Sequence, residues 1–280
     1  MRIGKLNVTI GSDPELFVKH NGKFVSGHEL IPGTKEDPFP VPRGAVQVDG
    51  TALEFNTDPA SNLRQFHNAS NSVIKALKSM IPDDHELVAA PVADYGKKYL
   101  DTLPFKAVEL GCSPDWNAYT MMENPTPDAD TPFRTASGHI HIGWTNVKNP
   151  YDEKHMLECC SLVKALDVFL GVPSLLIDTD NRRRNLYGKA GAFRPKEYGL
   201  EYRVLSNFWV LDAKLRAWVW QNTKLAIQRL QDRDSPLSRY WGVDGAIDNN
   251  SSYDRDKVLR FYNVPVPEGY SVPKASSIWD

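Results

Sequence analysis

The sequence predicts an α+β fold, a mostly antiparallel sheet with helices gathered on one face. Short β-like runs separated by turn residues open the chain, and a few long helical stretches lie between the later strands. A third observation excludes the main alternative. No Gly-x-Gly-x-x-Gly joins a strand to a helix, and no P-loop is present, so a Rossmann reading fails.

The first strands are expected at 6–10, 16–19, 23–26, 45–48 and 52–56, with His20-Asn21-Gly22-Lys23 as a hairpin connection. A helix over 62–80 sets Leu63, Phe66, Val73, Ile74 and Leu77 on its apolar face and ends before Pro82. Strands are expected at 107–110 and 138–144. A second helix runs over 150–170 and stops at Gly171 as its C-cap. Residues 200–205 alternate as a strand. A long helix over 211–231 then places Leu211, Leu215, Trp218, Asn222 and Leu225 at helical spacing. Trp218 and Trp220 on it suit a core or an interface, which leaves the oligomeric state open. From Asp232 the chain is polar and broken, and 264–276 is proline-rich and extended. The expected division is a main domain over 1–231 and an extension over 232–280 that wraps the domain or is partly disordered.

Composition narrows the class. The 280 residues suffice for one large domain or two small ones, with 41% hydrophobic and 24% charged residues in ordinary globular proportion. A net charge of −2 supplies no overall field toward nucleic acid or an anionic membrane, and only Arg182, Arg183 and Arg184 form a tight basic run. The longest apolar stretch, 168–177, contains Gly171 and Pro173 and is too short to span a bilayer. Residues 1–10 carry charge and no apolar signal segment. The three cysteines include no Cys-x-x-Cys, so reduced thiols and a cytoplasmic setting are expected.

Five constellations carry chemistry. Asp13 and Glu15 are two apart, so both carboxylates share a face of an extended segment, although Ser12-Asp13-Pro14 is also good turn chemistry. Glu54 and Asn56 share one face of the 52–56 strand, with Leu53 and Phe55 on the other. An acid there suits a half-exposed strand as well as a site. His139 and His141 lie on one strand face between Gly138 and Gly143, a pairing that suits a metal ligand beside a phosphate or ribose contact. The stretch from Asp178 to Arg194 scatters glycines among Arg182, Arg184, Lys189 and Arg194. It fits an oligophosphate, gripped bidentately by guanidinium groups, or a solvated surface loop. Glu201 and Arg203 share a strand face, as an ion pair or as a metal ligand beside a phosphate clamp. Taken together, Asp13, Glu15, Glu54, His139, Glu201 and Arg203 are expected on one face of a common sheet. Such carboxylates repel unless divalent cations neutralise them, and oxygen ligands with one imidazole suit Mg²⁺ or Mn²⁺.

The order Gly11-Ser12-Asp13-Pro14-Glu15, then 49–56, then Ser137-Gly138-His139-Ile140-His141, then Leu200-Glu201-Tyr202-Arg203 resembles a known one. It is similar to the phage-type COOH–NH2 ligases (amidoligases) of the superfamily that holds glutamine synthetase and glutamate–cysteine ligase. The resemblance covers roughly 10–210. It implies a glutamine synthetase-like sheet curved into a cradle with helices on its outer face, in a protein that uses ATP and Mg²⁺. It further implies one metal site at Glu15 and Glu54, with Asp49 the lesser candidate, and a second at Asp13, His139 and Glu201. His141 would lie near the nucleotide, and Arg203 and Arg194 near the γ-phosphate. Lys189, Arg182 and Arg184 would also take part in binding the nucleotide. The implied reaction joins a small-molecule or peptide carboxylate to an amine through an acyl phosphate. If the protein is phage-encoded, the implied setting is the host cytoplasm. A nucleic acid is conceivable as a modification substrate, without support from the composition. The competing readings are a metal-dependent hydrolase or nuclease built on His139 and His141, and a non-catalytic binding protein of the same fold.

Overall fold

The computed structural model describes residues 8–108, 115–126, 131–232 and 242–272. Its strands, in chain order, begin with β1 (Thr9–Ser12), β2 (Glu15–His20), β3 (Lys23–Val25), β4 (Phe39–Val41), β5 (Gly44–Asp49), β6 (Ala52–Thr57), β7 (His85–Val88) and β8 (Val92–Asp94). They continue with β9 (Trp116–Asn117), β10 (Met122–Glu123), β11 (Phe133–Thr135), β12 (Ile140–Gly143), β13 (Ala192–Lys196) and β14 (Gly199–Tyr202). The helices are α1 (Leu63–Lys78), α2 (Lys97–Leu100), α3 (Phe105–Val108), α4 (Glu153–Leu166), α5 (Val172–Ser174), α6 (Arg182–Leu186), α7 (Ala213–Gln231), α8 (Val243–Asp248) and α9 (Ser252–Phe261). The architecture is α+β, and every pairing among the described residues is antiparallel.

The expected common sheet is two sheets. One runs β1-β12-β14-β13-β9-β10; the other runs β3-β2-β6-β5-β4, with β7 also on β2, and β8 pairs with β11 apart from both. The chain crosses from the first sheet to the second at Asp13-Pro14. The seam there is stitched by backbone bonds from Glu15 N to Ser137 O at 2.9 Å and from Phe55 N to Pro14 O at 3.1 Å. Alternation of side chains tells which face a residue takes but not which strands share a sheet, and that is why one sheet was expected.

Helix α4 backs β13 and β14, α1 backs β5 and β6, and α7 packs against both helices. The helix over 62–80 forms as its pattern dictates. Asn62 caps it by accepting from Gln65 N at 3.0 Å, Lys75 and Lys78 sit in its last turn, and Phe66, Val73, Ile74 and Leu77 are buried. Phe66 lies against Trp209 and Trp220, so the tryptophan-bearing α7 faces the core of this chain.

Two local expectations are corrected. Residues 105–108 are helical rather than extended, and 109–110 lie outside the described residues. Gly171 does not end its helix. The chain passes through a π-helical turn, Asp167–Gly171, into α5. Glycine is needed there for close approach, since a Cβ would sit 2.9 Å from the Tyr202 hydroxyl and 2.8 Å from Ile247 Cδ1. The region beyond Asp232 contains two further helices. Helices α8 and α9 bury Val243, Ala246, Ile247, Val258 and Leu259 in the main core, while Pro265 O accepts from Trp218 and Asn222. Residues 273–276 of the proline-rich stretch lie outside the described residues. Among the described residues, no helix is long and apolar enough to cross a membrane.

The π-helical turn also fixes a buried acid. Asp167 is fully buried and accepts from Tyr202 Oη and Gly191 N, each at 2.7 Å. Burial pushes its carboxyl up to about 7 against the pull of those donors. Tyr202→Phe keeps the ring and removes one of the donors. An unsatisfied buried group costs about 1–3 kcal/mol. A lower urea midpoint with an unchanged m-value and circular dichroism spectrum is therefore expected; an unchanged midpoint would show that Asp167 does not rely on this bond.

Candidate active site

Strand register builds the site before any side chain is considered. In the first sheet Arg194 stands opposite Glu201, Glu201 opposite His141, and His141 opposite Gly11. In the second, Gln47 stands opposite Glu54 and Glu54 opposite Glu15. Asp13, on the crossing between β1 and β2, lies where the two rows meet. Asp13, His139 and Arg203 each fall just outside a strand rather than within one, because the strands end where the sheets meet.

His141 Nε2 and Asp13 Oδ1 approach to 2.9 Å, yet both atoms are buried without an aligned hydrogen bond. Ligand atoms of Asp13, His141 and Glu201 all lie within 4.8 Å of one another. His139 Nδ1 is 3.5 Å from both Asp13 Oδ1 and Glu201 Oε1, and Arg203 NH1 lies 3.4 Å from that same nitrogen. His141, expected near the nucleotide, thus sits within the acid cluster, while His139 sits between the acids and Arg203. The other ring nitrogen of His141 shares a hydrogen bond with the Tyr198 hydroxyl.

Glu201 is surrounded by cations. Lys196 Nζ is at 2.8 Å, Arg194 NH1 at 3.7 Å, and Arg203 pairs with it directly while donating from Nε to Asp115 at 3.2 Å. Burial and Asp13 press the Glu201 carboxyl upward, but Arg203 and the two histidines outweigh them and hold it at about 2. Burial likewise works against ionised Asp13, yet His141 and His139 keep its carboxyl well below the usual range. His139 is held down to about 4 by burial and then by Arg203. His141 is raised, because the charge of Asp13 overcomes burial.

The second row behaves in the opposite way. Glu54 accepts from Gln47 Nε2 at 2.6 Å and Glu15 from Ser137 N at 2.9 Å, both neutral donors. Burial first, then Asp13, Asp49 and Glu15, raise the Glu54 carboxyl well above its normal value. Burial and Asp49 push Glu15 up to about 8. Facing acids with neutral donors, next to an unbonded carboxylate oxygen and imidazole nitrogen, are a donor set that fits a hard divalent cation. Glu201 fits less well, because its charge is already shared with Lys196, Arg194 and Arg203.

A cavity of about 470 Å³ opens beside these groups, lined by Thr9, Asp13, Glu54, Asn56, His141 and Tyr198 among others.

The tandem arginines are engaged elsewhere. Arg182 pairs with Asp94 and Asp180, each at 2.7 Å, and Arg184, 3% exposed, pairs with Asp178 at 3.1 Å. Arg183 is fully buried and donates to Val204 O, Arg203 O and Ser137 Oγ, which pins the end of β14. The loop at Lys189 is not an open phosphate cradle either, since the amides of Ala190 and Gly191 donate to Asp248 and Asp167. Four neighbours were missed from sequence. Lys196 is two residues from Arg194 on the same strand, a signal that alternation does give. Asp115, Tyr198 and Gln47 carry no local signal and reach the cluster only through pairing.

Comparison with known families adds one finding. Residues 131–247 match the family model Phage phiEco32-like COOH.NH2 ligase-type 2. The matched stretch contains His139, His141, Arg194, Glu201 and Arg203, whereas Asp13, Glu15 and Glu54 precede it. The resemblance read from the motifs is thereby shown for that stretch. No curated protein matches the chain. Among solved structures, that of a bifunctional glutathione synthetase from Pasteurella multocida is similar at 11% identity and a TM-score of 0.45, over 92% of this chain and 45% of that one. This chain spans less than half the length of that protein.

Proposed function

We propose that the protein is an ATP- and Mg²⁺-dependent carboxylate–amine ligase that forms an amide or isopeptide bond through an acyl phosphate. The observation that carries this reading is the meeting at Asp13 of a cation-rich row, Arg194-Glu201-His141, with an acid row, Glu15-Glu54. The first offers positive charge to a transferring phosphoryl group; the second offers oxygen ligands. On this reading the two sheets form the walls of a glutamine synthetase-like cradle, with α1, α4 and α7 behind them.

A divalent cation, Mg²⁺ or Mn²⁺, would be held by Glu15, Glu54 and Asp13 with an imidazole, and would supply charge neutralisation for the polyphosphate. The substrate carboxylate attacks the γ-phosphorus of ATP, giving an acyl phosphate and ADP. An amine then attacks the acyl carbon, phosphate leaves, and the amine loses its proton. Arg203 and Arg194 stabilise the charge on the transferring oxygens. His139, kept neutral by burial and Arg203, can meet phosphate oxygens only as a hydrogen-bond donor. The carboxylate and amine substrates are small molecules or peptides.

ATP is expected to stabilise the fold only together with Mg²⁺, because acids alone repel triphosphate. Ligand at 100 times its Kd stabilises by about 2.7 kcal/mol, which a thermal shift resolves readily. An equal shift for ATP in EDTA would remove the metal cradle. Hydrolytic activity with metal and without ATP would favour the hydrolase reading.

A further inference from the structure

Two acids outside the cluster hold consecutive amides of one loop. Gly191 N donates to Asp167 Oδ2 and Ala190 N to Asp248 Oδ1, both at 2.7 Å. Each acid sits where a carboxylate is disfavoured. Asp167 is fully buried in a π-helical turn, a distortion that is frequent at functional sites. Asp248 is the last residue of α8, where negative charge opposes the helix dipole. The loop between them has little freedom. Gly188 and Gly191 have φ of +77° and +76°, and a Cβ on Gly188 would lie 2.1 Å from Arg183 NH1.

Directly after Gly191 the chain enters β13, which carries Arg194 and Lys196 to Glu201. Asp167 also accepts from Tyr202, the neighbour of both Glu201 and Arg203, and Arg203 N donates to Ala192 O at 3.0 Å. We infer that Asp167 and Asp248 form a two-point clamp on the 188–191 loop that holds β13, and with it Arg194 and Lys196, in register with Glu201. Both are positioning residues. The inner point is sealed in the core, while the outer one is supplied by the region beyond residue 232, so that region completes the site rather than decorating it. The geometry stands by itself; its catalytic consequence rests on the ligase reading.

Asp248 is exposed, so its replacement leaves the core intact. Asp248→Ala removes the acceptor, whereas Asp248→Asn keeps an oxygen for Ala190 N. Hydrogen exchange of a peptide spanning 188–196 is expected to rise about tenfold in the Ala variant, with α1 unchanged, and to stay near the parent in the Asn variant. ADP release from Mg·ATP with a mixture of the standard amino acids is expected to show kcat about tenfold lower for Ala, KM for ATP within about twofold, and rescue by Asn. Unchanged exchange over 188–196 would overturn the clamp. So would a loosened loop with parental kcat, which would mark the contact as a stabilising one alone. If the parent itself released no ADP, the ligase reading would fall, and exchange alone would decide the clamp.

Discussion

Glu54→Gln is expected to give a folded protein whose ATP turnover is lower by about 10²–10³ or more, the range seen when one electrostatic stabiliser is removed. The exchange is nearly isosteric. Leu53 and Phe55, at 0% and 1% exposure, keep their packing on the opposite face of β6, and the amide oxygen can still accept from Gln47. Stability should move the other way. Glu54 and Glu15 both have carboxyls raised in the fold, so the stability they give is present below the unfolded value near 4.5. For Glu15 it is lost as pH rises to about 8. Removing one of the facing charges weakens that loss. The metal-free variant should therefore melt no lower than the parent at pH 8 while gaining less from Mg·ATP. Retained turnover would return Glu54 to an ordinary place on a half-buried strand.

Arg203→Lys is expected to reduce ADP formation by about 10²–10³, or about 2.7–4 kcal/mol, with a modest change in ATP affinity. The guanidinium touches Asp115, Glu201 and His139 at once, and a lysine ammonium, lacking the planar fork, does not replace those contacts together. A surface pair would be worth about 0–1 kcal/mol, but Arg203 is 5% exposed, so some loss of stability accompanies the change. Urea midpoints separate that loss from the rate measured well below the melting temperature. A parental rate in the lysine variant would remove Arg203 from the phosphoryl step.

Much of the fold was legible because local pattern determines it. The apolar stripe of 62–80 and the Asn21-Gly22 turn each specify structure within a few residues. Faces were legible too, since Glu54 and Asn56 must point away from Leu53 and Phe55. Neighbours were not. Nothing in Asp115 or Tyr198 announces that the start of β9 and the β13–β14 turn will bring them to Arg203 and His141. The arginine run misled for a related reason: three adjacent cations look alike in sequence. In the fold Arg183 is consumed by two backbone carbonyls and a hydroxyl, while Arg182 and Arg184 are taken up by Asp94, Asp178 and Asp180.

The seam between the sheets also sets an order of events as the chain is made. Asp13, Glu15, Asp49 and Glu54 all emerge early; β2 meets β3 and β5 meets β6 over short loops, and the β2–β6 pairing closes the acid row as soon as β6 is made. Later segments complete its surroundings. Ser137 N reaches the Glu15 carboxylate across 122 residues and Asn207 Nδ2 its backbone carbonyl across 192, while Arg194 and Lys196 lie on β13 and Arg203 just past β14 in the other sheet. Contacts so distant in sequence form slowly. A chain caught before β14 docks is therefore a nascent half-domain bearing a concentrated patch of like charge. It lacks Arg194, Lys196 and Arg203, the cations that surround Glu201 in the complete fold.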